Sequence, residues 1–204
     1  MRLPTESSSS FRASSASSLP VRLMLVDVDQ AADLTNFCKS IYRQHYEHLW
    51  HEGGSAWYQE TTYGADTLRR ELRDPGIRHY FIEVDGARAG YLKLELSQDL
   101  PDQPNGLEIS RVYLSSEFTG QGTGRRVLSE VCALAMNLQR RYVWLHVMDS
   151  SEAAIRFYAS SGFEIVGATI LPFELMKPRF RRMLQMRKLL TPAGQVDEIG
   201  QSAG

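Results

Sequence analysis

Apolar and polar positions alternate along seven stretches of the chain, which is the pattern of half-buried β-strands. Two of these stretches flank Asp85-Gly86, a dipeptide typical of the tight turn in a β-hairpin. The final stretch also fits a helix. The predicted strands are 21–27, 77–84, 88–96, 107–114, 142–148, 163–169 and 179–190.

Apolar residues recur at helical spacing in four other stretches. Asp29 is placed to cap the first of these helices, and the glycine-bearing, aromatic segment 51–64 is interpreted as an irregular connection. The resulting order, β-α-α-β-β-β-α-β-α-β-β, predicts an α/β (α+β) fold with a mixed sheet and helices on both faces. The predicted helices are 29–50, 66–74, 124–138 and 151–162.

The two ends of this 204-residue chain lack such patterns. Residues 1–20 are rich in serine, and residues 191–204 contain Pro192 and Gly194. Segments of this kind bury too little apolar surface to offset their ordering entropy, so we expect flexible tails around one domain, 21–190. The serine-rich, arginine-containing first segment also has a faint likeness to an organelle transit peptide.

Composition disfavours several classes of function. The formal net charge is -1, so no overall field attracts nucleic acid, and no apolar run approaches the ~18 residues of a membrane span. We therefore expect a cytoplasmic protein that binds neither nucleic acid nor membrane. Its two cysteines, Cys38 and Cys132, fall in predicted helices and are interpreted as small buried side chains.

A glycine-rich turn joins strand 107–114 to helix 124–138. Backbone N–H groups at a helix N-terminus lack partners and carry the positive end of the helix dipole. Glycines let an anion approach such groups closely, so we expect a phosphate-binding site at this turn. Its residues are Thr119, Gly120, Gln121, Gly122, Thr123, Gly124 and Arg125.

Three other interpretations of the turn fit less well. The dinucleotide fingerprint is G-x-G-x-x-G, whereas the glycines here follow G-x-G-x-G, and Asp149 lies too far along to be its acidic partner. A Walker loop needs a Gly-Lys-Ser/Thr sequence, which does not follow. The remaining alternative is a tight turn that binds no ligand.

Two segments resemble the GNAT superfamily of acetyl-CoA-dependent N-acetyltransferases. The segment 107–128 (LEISRVYLSSEFTGQGTGRRVL) is similar to the family's cofactor motif, Q/R-x-x-G-x-G/A after a strand. The segment 143–167 is similar to the family's next strand, helix and strand, with an A-x-x-F-Y-x-x-x-G-F core from Ala154 to Phe163. The resemblance covers residues 21–190 and implies a mostly antiparallel sheet. Within the superfamily it is closest to bacterial diamine (spermidine/spermine) acetyltransferases.

The resemblance implies a role for each part of the cofactor site. Strands 107–114 and 142–148 splay apart, and the pantetheine arm of acetyl-CoA lies in the gap, paired with the backbone of Val112, Tyr113 and Leu114. The turn holds the pyrophosphate, and the amide near Leu114 polarises the thioester carbonyl. Tyr158 matches the tyrosine that protonates the departing thiolate; the alternative is a core tyrosine.

Two positions depart from the family pattern. Thr119 stands where the family prefers Gln or Arg, so a long donor near the pyrophosphate is lost. Ser151 stands where many members have Asn before the tyrosine-bearing helix, and a serine can still cap that helix and donate one hydrogen bond. These departures bear on cofactor affinity more than on the fold.

A substrate amine must lose a proton before it attacks. Glu108 is the first candidate for the base, because its alternation places it with Ser110, Val112 and Leu114 on one face of a central strand. His146, on a second interior strand, is the other candidate. An ion-paired glutamate and a hydrogen-bonded core histidine are the structural alternatives.

The segment from Tyr42 to Tyr63 is predicted to form the substrate wall, because aromatic faces with carboxylates such as Glu52 and Glu60 suit a cationic amine. The alternative is ordinary packing of an amphipathic helix. The histidines of this segment do not form an H-E-x-x-H motif, so no metal is expected. The predicted substrate-binding residues are Tyr42, Tyr46, Trp50, Trp57 and His146.

These patterns together predict direct transfer of an acetyl group from acetyl-CoA to a primary amine, preferably a small polyamine-like molecule. Neither cysteine has a base at a suggestive spacing, so a covalent intermediate is disfavoured. The alternatives are a protein N-terminal or lysine acetyltransferase and a non-catalytic CoA-sensing protein. The terminal strand region 179–190 could pair between subunits to form a homodimer.

Overall fold

Seven strands form one sheet in the order β1-β2-β3-β4-β5-β7-β6 in the computed structural model, which describes residues 20–190. All neighbouring strands are antiparallel except β4 and β5, which are parallel. This confirms the mixed, mostly antiparallel sheet; the predicted tails lie outside the described residues, apart from Pro20. The strands are β1 (Val21–Leu25), β2 (Ile77–Val84), β3 (Ala87–Glu95), β4 (Gly106–Leu114), β5 (Tyr142–Met148), β6 (Glu164–Ile170) and β7 (Arg182–Leu189).

Five α-helices accompany the sheet. The additional helix is α2, so the prediction of an irregular connection at 51–64 is wrong. Its glycines and aromatic residues have weak helix propensity, but burial of Tyr63 and contact of Tyr58 with Tyr42 stabilise it. The helices are α1 (Ala31–Tyr46), α2 (Gly54–Tyr63), α3 (Ala65–Arg73), α4 (Thr123–Asn137) and α5 (Glu152–Ser160).

The start of α1 also differs from the prediction. Asp29 lies within a 3-10 turn, Val28–Gln30, and Gln30 occupies the N-cap position of α1. The side chain of Gln30 instead accepts a hydrogen bond from the backbone N–H of Asp27 at 3.0 Å. The short turn therefore moves the helix start beyond Asp29.

The hairpin and the last strand follow their patterns. Asp85 and Gly86 both have left-handed backbones, with φ of 50° and 77°, as the two-residue turn between β2 and β3 requires. Residues 182–189 form β7, which resolves the choice between strand and helix. Because β7 pairs with β5 on one side and β6 on the other, it offers no free edge along Arg182–Leu189 for a strand of a second subunit. A homodimer formed in another way stays a prediction.

The sheet separates two apolar clusters, because successive residues on a strand face opposite sides. On β2, Ile82 belongs to the first cluster and Phe81 to the second; on β3, Leu92 and Tyr91 divide in the same way. Side chains of α4 and α5 pack against the first cluster, and those of α1, α2 and α3 against the second. Helices therefore cover both faces, as predicted.

A β-bulge interrupts β4. Lys93 and Leu94 are adjacent on β3, but their partners on β4 are Arg111 and Ile109, so Ser110 falls outside the register. An extra residue of this kind inverts the alternation of side chains beyond it.

The bulge overturns one prediction. Val112 and Leu114 pack against the first cluster together with Leu107, whereas Tyr113 packs against the second. Glu108 alternates with Leu107 and therefore faces the second side of the sheet. The expectation that Glu108 shares a face with Val112 and Leu114 is wrong because of this one inserted residue.

A buried ion-pair network links α3 to the sheet. The two carboxylate oxygens of Glu71 lie 2.7 Å from Lys93 Nζ and 3.0 Å from His79 Nε2. Burial by itself raises the pKa of Glu71, but the hydrogen bond from His79 and the charge and hydrogen bond of Lys93 outweigh it and lower the pKa to about 2. The ionised carboxylate is therefore strongly favoured in the folded protein.

Glu71→Gln should destabilise the fold at pH 7. A carboxyl with a folded pKa of about 2 and an ordinary value of 4.5 contributes about 3 kcal/mol above pH ~4.5, and this contribution is lost as the pH falls towards 2. We expect Tm to fall by about 6–12 °C. The control is Glu60→Gln, whose carboxylate pairs with Lys39 but is 74% exposed and should change Tm very little. Equal melting of both variants would contradict the stabilising role of Glu71.

Candidate active site

The parallel pair β4 and β5 separates part-way along its length. Its register runs from Gly106 opposite Tyr142 to Ile109 opposite Leu145, and β4 continues to Leu114 without a partner on that side among residues 20–190. The N–H of Ser115 donates to the Ala89 carbonyl of β3 at 2.8 Å. Since successive N–H groups point to alternate sides, the N–H of Leu114 points into the gap. The gap between the two strands therefore exposes backbone groups of β4 that have no strand partner among the described residues. The splaying of these strands is what the family resemblance implied.

The glycine-rich turn follows β4 and opens α4. Gly120 and Gly122 have φ of 75° and 79°, and a Cβ at either position would meet nothing within 4 Å. Gly122 is the N-cap of α4, and the first helical hydrogen bond runs from the N–H of Arg126 to the Gly122 carbonyl. The preceding N–H groups, of Thr123, Gly124 and Arg125, therefore point outward at the positive end of the helix dipole.

The side chains of the turn contribute less than its backbone. The Thr119 hydroxyl donates to the Ser116 carbonyl at 2.7 Å, and the Gln121 amide donates to the Glu117 carbonyl at 2.8 Å. Thr123 is buried, whereas Arg125 is exposed. The backbone N–H groups and Arg125 are accordingly the donors that this arrangement offers to an anion.

A channel of about 200 Å³ leads away from the turn. Gly124 is tightly packed here, since a Cβ would lie 3.1 Å from the Phe157 ring. A larger side chain would therefore disturb the junction of α4 and α5. The side chains and backbone along the channel include Val112, Tyr113 and Leu114 of β4, Thr119 and Gly124, and Phe157 and Tyr158 of α5.

A second hollow, here called the aromatic cavity, has a volume of about 350 Å³. It shares Tyr46, Val112, Tyr113 and Tyr158 with the channel, so the two spaces meet at these residues. Its other aromatic side chains are Tyr42, Trp50, Tyr58 and Phe173, and its charged or titratable side chains include Glu108, Arg111 and His146.

The aromatic wall is held by internal contacts. Trp50 Nε1 donates to the Tyr42 hydroxyl at 2.8 Å, and Tyr42 stacks on Tyr58 with ring centroids 5.0 Å apart. Tyr46 lines the same space. Trp57 does not: it is 43% exposed and packs edge-on behind Trp50. Four of the predicted substrate-binding residues thus line the aromatic cavity: Tyr42, Tyr46, Trp50 and His146. The fifth, Trp57, lies outside it.

Tyr158 stands where the channel and the aromatic cavity meet. Its ring packs edge-on against Phe157 and Phe163, which orients it from α5. Burial, assisted by neighbouring Tyr46, raises the pKa of Tyr158 above its ordinary value. The phenol therefore keeps its proton throughout the neutral range. Ser151, the N-cap residue of α5, also lines the cavity, but its side chain makes no capping bond.

The two candidates for the base form a pair. Glu108 Oε1 lies 3.4 Å from His146 Nδ1, with side-chain exposures of 13% and 29%. His146 Nε2 lies 3.5 Å from the Gln185 amide on β7. The parallel register of β4 and β5 brings these residues together, although they are 38 positions apart in sequence. A carboxylate beside an imidazole can accept and relay a proton.

Several residues of the cavity had no signal in the sequence. Arg111 is one of them. Regular strand alternation places it on the opposite face from Glu108, and only the bulge brings both residues to the same cavity. Phe173 and Met176 follow β6 in an irregular segment, and long-range contacts hold that segment over the wall: the bridge between Trp50 and Met176 and the packing of Phe173 on Trp50. A larger hollow, of about 890 Å³ near Arg140, lies beside the opposite end of β4 and β5 and is remote from the turn.

Comparison with known proteins agrees with this geometry. The model of the Acetyltransferase (GNAT) family matches residues 39–163, more than half of the chain. This chain is a member of the GNAT acetyltransferase family. The matched segment of this GNAT protein includes the second half of α1, all of α2, the splayed strands, the glycine-rich turn and Tyr158.

One relative is similar to this chain over about half of its length. An uncharacterized N-acetyltransferase of Lactobacillus delbrueckii subsp. lactis is 38% identical over 107 residues, which cover 52% of this GNAT chain and 62% of that relative. The chain thus spans less than two thirds of that protein's length.

Solved structures share the fold at low identity. The PaiA N-acetyltransferase of Thermoplasma acidophilum, in complex with coenzyme A, has a TM-score of 0.65 at 16% identity, over 84% of this chain and 99% of that one. The spermidine N-acetyltransferase of Vibrio cholerae, in complex with CoA and spermine, has a TM-score of 0.61 at 17% identity, over 83% and 95%. These likenesses confirm the GNAT fold.

Cys38 and Cys132 are both buried and free, as predicted. Burial raises the pKa of both thiols, so neither is a ready nucleophile. Within residues 20–190 there is no group of three His, Cys, Asp or Glu side chains that could hold a metal ion. No helix in that range is long and apolar enough to span a membrane.

Proposed function

We propose that this GNAT protein transfers an acetyl group from acetyl-CoA to a primary amine by direct attack. The observation that carries the proposal is the meeting of two spaces at Tyr158: a channel from the glycine-rich turn and a cavity lined by aromatic and titratable groups. One space suits an extended acyl donor and the other an acceptor. Tyr158 lies where their reacting ends would come together.

The residues present fit coenzyme A. Open space above Gly120 and Gly122, together with the outward N–H groups of α4, suits a pyrophosphate. The unpaired backbone of Val112 to Leu114 suits a pantetheine arm, which carries amides that can pair like an added strand. The Leu114 N–H points into the gap, where it would polarise the thioester carbonyl.

The reaction then needs three proton transfers. The acceptor ammonium loses a proton to Glu108 or His146, directly or through water, and its nitrogen attacks the thioester carbonyl carbon. A C–N bond forms, the C–S bond breaks, and the thiolate takes the phenolic proton of Tyr158. The nitrogen then gives its second proton to the Tyr158 phenolate, directly or through water, which leaves a neutral amide and restores the phenol. No cysteine is needed for this route, in keeping with the burial of both thiols.

The acceptor class is the open part of the proposal. The aromatic wall and Glu108 support an amine, and the polyamine prediction rests on them and on the resemblance. Glu52 and Glu60, predicted to assist a cationic substrate, lie away from the cavity, where Glu108 is the one carboxylate among the described lining residues. A cavity of about 350 Å³ with aromatic walls favours a small molecule over a protein terminus.

The test is release of CoA thiol from acetyl-CoA with polyamines, amino acids, aminoglycosides and short peptides as acceptors. Amine-dependent release would support the transferase, and mass spectrometry of the product would locate the acetyl group. Binding of acetyl-CoA without turnover would favour the CoA-sensing alternative, and an absence of binding would overturn the proposal.

Glu108→Gln should reduce kcat about 100-fold, because it removes the carboxylate while keeping the shape of the side chain. If the carboxylate acts as base, raising the pH should restore part of the activity by deprotonating the free amine. The matched control is Glu130→Gln, an exposed change on α4 outside both the channel and the aromatic cavity, which should leave kcat unchanged. Equal kcat in all three proteins would remove Glu108 from the mechanism.

A further inference from the structure

Arg111 brings a positive charge into the aromatic cavity that no role above uses. It lies on β4, is partly buried and lines the cavity, and its buried Nη1 has no hydrogen-bond partner among residues 20–190. Its guanidinium carbon lies 5.6 Å from the centre of the Tyr63 ring. A buried guanidinium without a paired anion is costly, so its retention in a cavity calls for an explanation.

The neighbouring groups do not neutralise this charge by contact. Within residues 20–190, Arg111 forms no ion pair; Glu71 is within electrostatic reach, but its two oxygens are occupied by Lys93 and His79. The surrounding phenols cannot serve as anions, because burial raises the pKa of Tyr63 and Tyr91 well above the ordinary value. No side chain among residues 20–190 therefore neutralises the guanidinium by direct contact.

The bulge at Ser110 adds a second, independent observation. Residues 108 and 111 would face opposite sides of a regular strand, but the extra residue turns both towards the same side, and both line the cavity. Their Cα atoms are separated by roughly two strand steps, about 7 Å. Glu108 pairs with His146 rather than with Arg111. The cavity therefore holds a carboxylate and a guanidinium side by side as separate groups.

We infer that the acetyl acceptor is a small zwitterion, whose ammonium is received by Glu108 and whose oxyanion, a carboxylate or a phosphate, is bound by Arg111. This inference rests on the proposed acetyl transfer and narrows its acceptor. A guanidinium can bind such an oxyanion through two parallel hydrogen bonds. The aromatic side chains surround the apolar part of the molecule. A polyamine, which is cationic throughout, would bring positive charge against Arg111.

The test uses acceptors that differ only in the anionic group. Amino acids with one to five carbons between amine and carboxylate, and aromatic amino acids, are compared with their carboxamides; phosphoethanolamine is compared with ethanolamine. For the preferred acceptor, we expect kcat/KM to exceed that of its uncharged analogue by 10- to 100-fold, which is the effect of hydrogen bonds to a charged group. The pair of acceptors that shows this difference in kcat/KM identifies the bound oxyanion as a carboxylate or a phosphate.

Arg111→Met should abolish this ratio. We expect KM for the charged acceptor to rise 10- to 100-fold, while kcat/KM for the uncharged analogue and KM for acetyl-CoA stay within twofold. Arg111→Lys should recover part of the effect, since it keeps the charge but not the paired donors. Arg69→Met, which removes an exposed arginine paired with Asp66, is the control and should preserve the full ratio.

The melting temperature of Arg111→Met distinguishes an arginine that binds the acceptor from one that only stabilises the fold. Because Arg111 lacks a contacting anion, Arg111→Met should melt at or above the wild-type temperature. A lower Tm with an unchanged ratio would make Arg111 a structural residue and overturn the inference. The inference would also be overturned if carboxamides or polyamines had a kcat/KM equal to or above that of the charged acceptors. Their turnover would still support acetyl transfer.

If no acceptor in the panel is turned over, calorimetry with CoA present tests the inference by binding alone. Wild type and Arg69→Met should bind the charged member of a pair more tightly than the uncharged one, and Arg111→Met should not. Equal binding of both members, or binding of neither, would overturn the zwitterion inference.

Discussion

Tyr158→Phe should lower kcat by about 1,000-fold while leaving the affinity for acetyl-CoA nearly unchanged. The substitution removes one hydroxyl and keeps the ring that packs against Phe157 and Phe163. General acid catalysis contributes on the order of 10²–10⁴-fold, and its loss would fall on departure of the thiolate. Steady-state kinetics and calorimetry with acetyl-CoA measure the two effects separately.

The pH dependence sharpens this prediction. Because burial raises the pKa of Tyr158, the phenol stays protonated across the neutral range and should add no ionisation to the wild-type profile there. The matched control is Tyr80→Phe on β2, which removes a hydroxyl outside both the channel and the aromatic cavity. If Tyr158→Phe turned over like Tyr80→Phe, the phenol would not be the acid.

Gly122→Glu should raise the Kd for acetyl-CoA by about 1,000-fold. The new carboxylate would stand where the outward N–H groups of α4 meet the pyrophosphate, so it would both block and repel that anion. Loss of two charged hydrogen bonds alone corresponds to about 3–6 kcal/mol. Calorimetric titration with acetyl-CoA gives the value directly.

Gly86→Glu is a closely matched control for this change. Gly86 has φ of 77° against 79° for Gly122, and a Cβ at either position meets nothing within 4 Å. Both substitutions therefore carry a similar backbone strain, on the order of 1–3 kcal/mol, but only one lies at the turn. Equal affinities in the two variants would show that the turn does not hold the pyrophosphate.

Local patterns were sufficient for most elements of this GNAT protein. Strand alternation, the Asp85-Gly86 turn and the glycine-rich turn at Gly120 and Gly122 each reflect short-range physics: side-chain direction, positive φ, and unpaired N–H groups at a helix start. The same short range explains the failure at α2. That helix forms because Tyr58 and Tyr63 find partners on α1, which no local window contains.

The residues of the candidate site also fall into two groups: those that a local motif indicates and those that only the tertiary structure brings together. The turn and Tyr158 lie in contiguous motifs, so the resemblance could identify them. The bulge at Ser110 could not be foreseen, because it depends on how β4 registers with β3. It reverses the faces of the strand beyond it and turns Arg111 into the same cavity as Glu108.

The chain's own residue order therefore determined the strands, most helices, the family and the glycine-rich turn at the start of α4, since each depends on neighbours along the backbone. The tertiary structure decided which side chains share the aromatic cavity. The pairing of Glu108 with His146 and the place of Phe173 over the wall arise from strand register and from contacts between distant segments. Such contacts depend on the packing of the whole sheet, and a single strand or helix does not encode them.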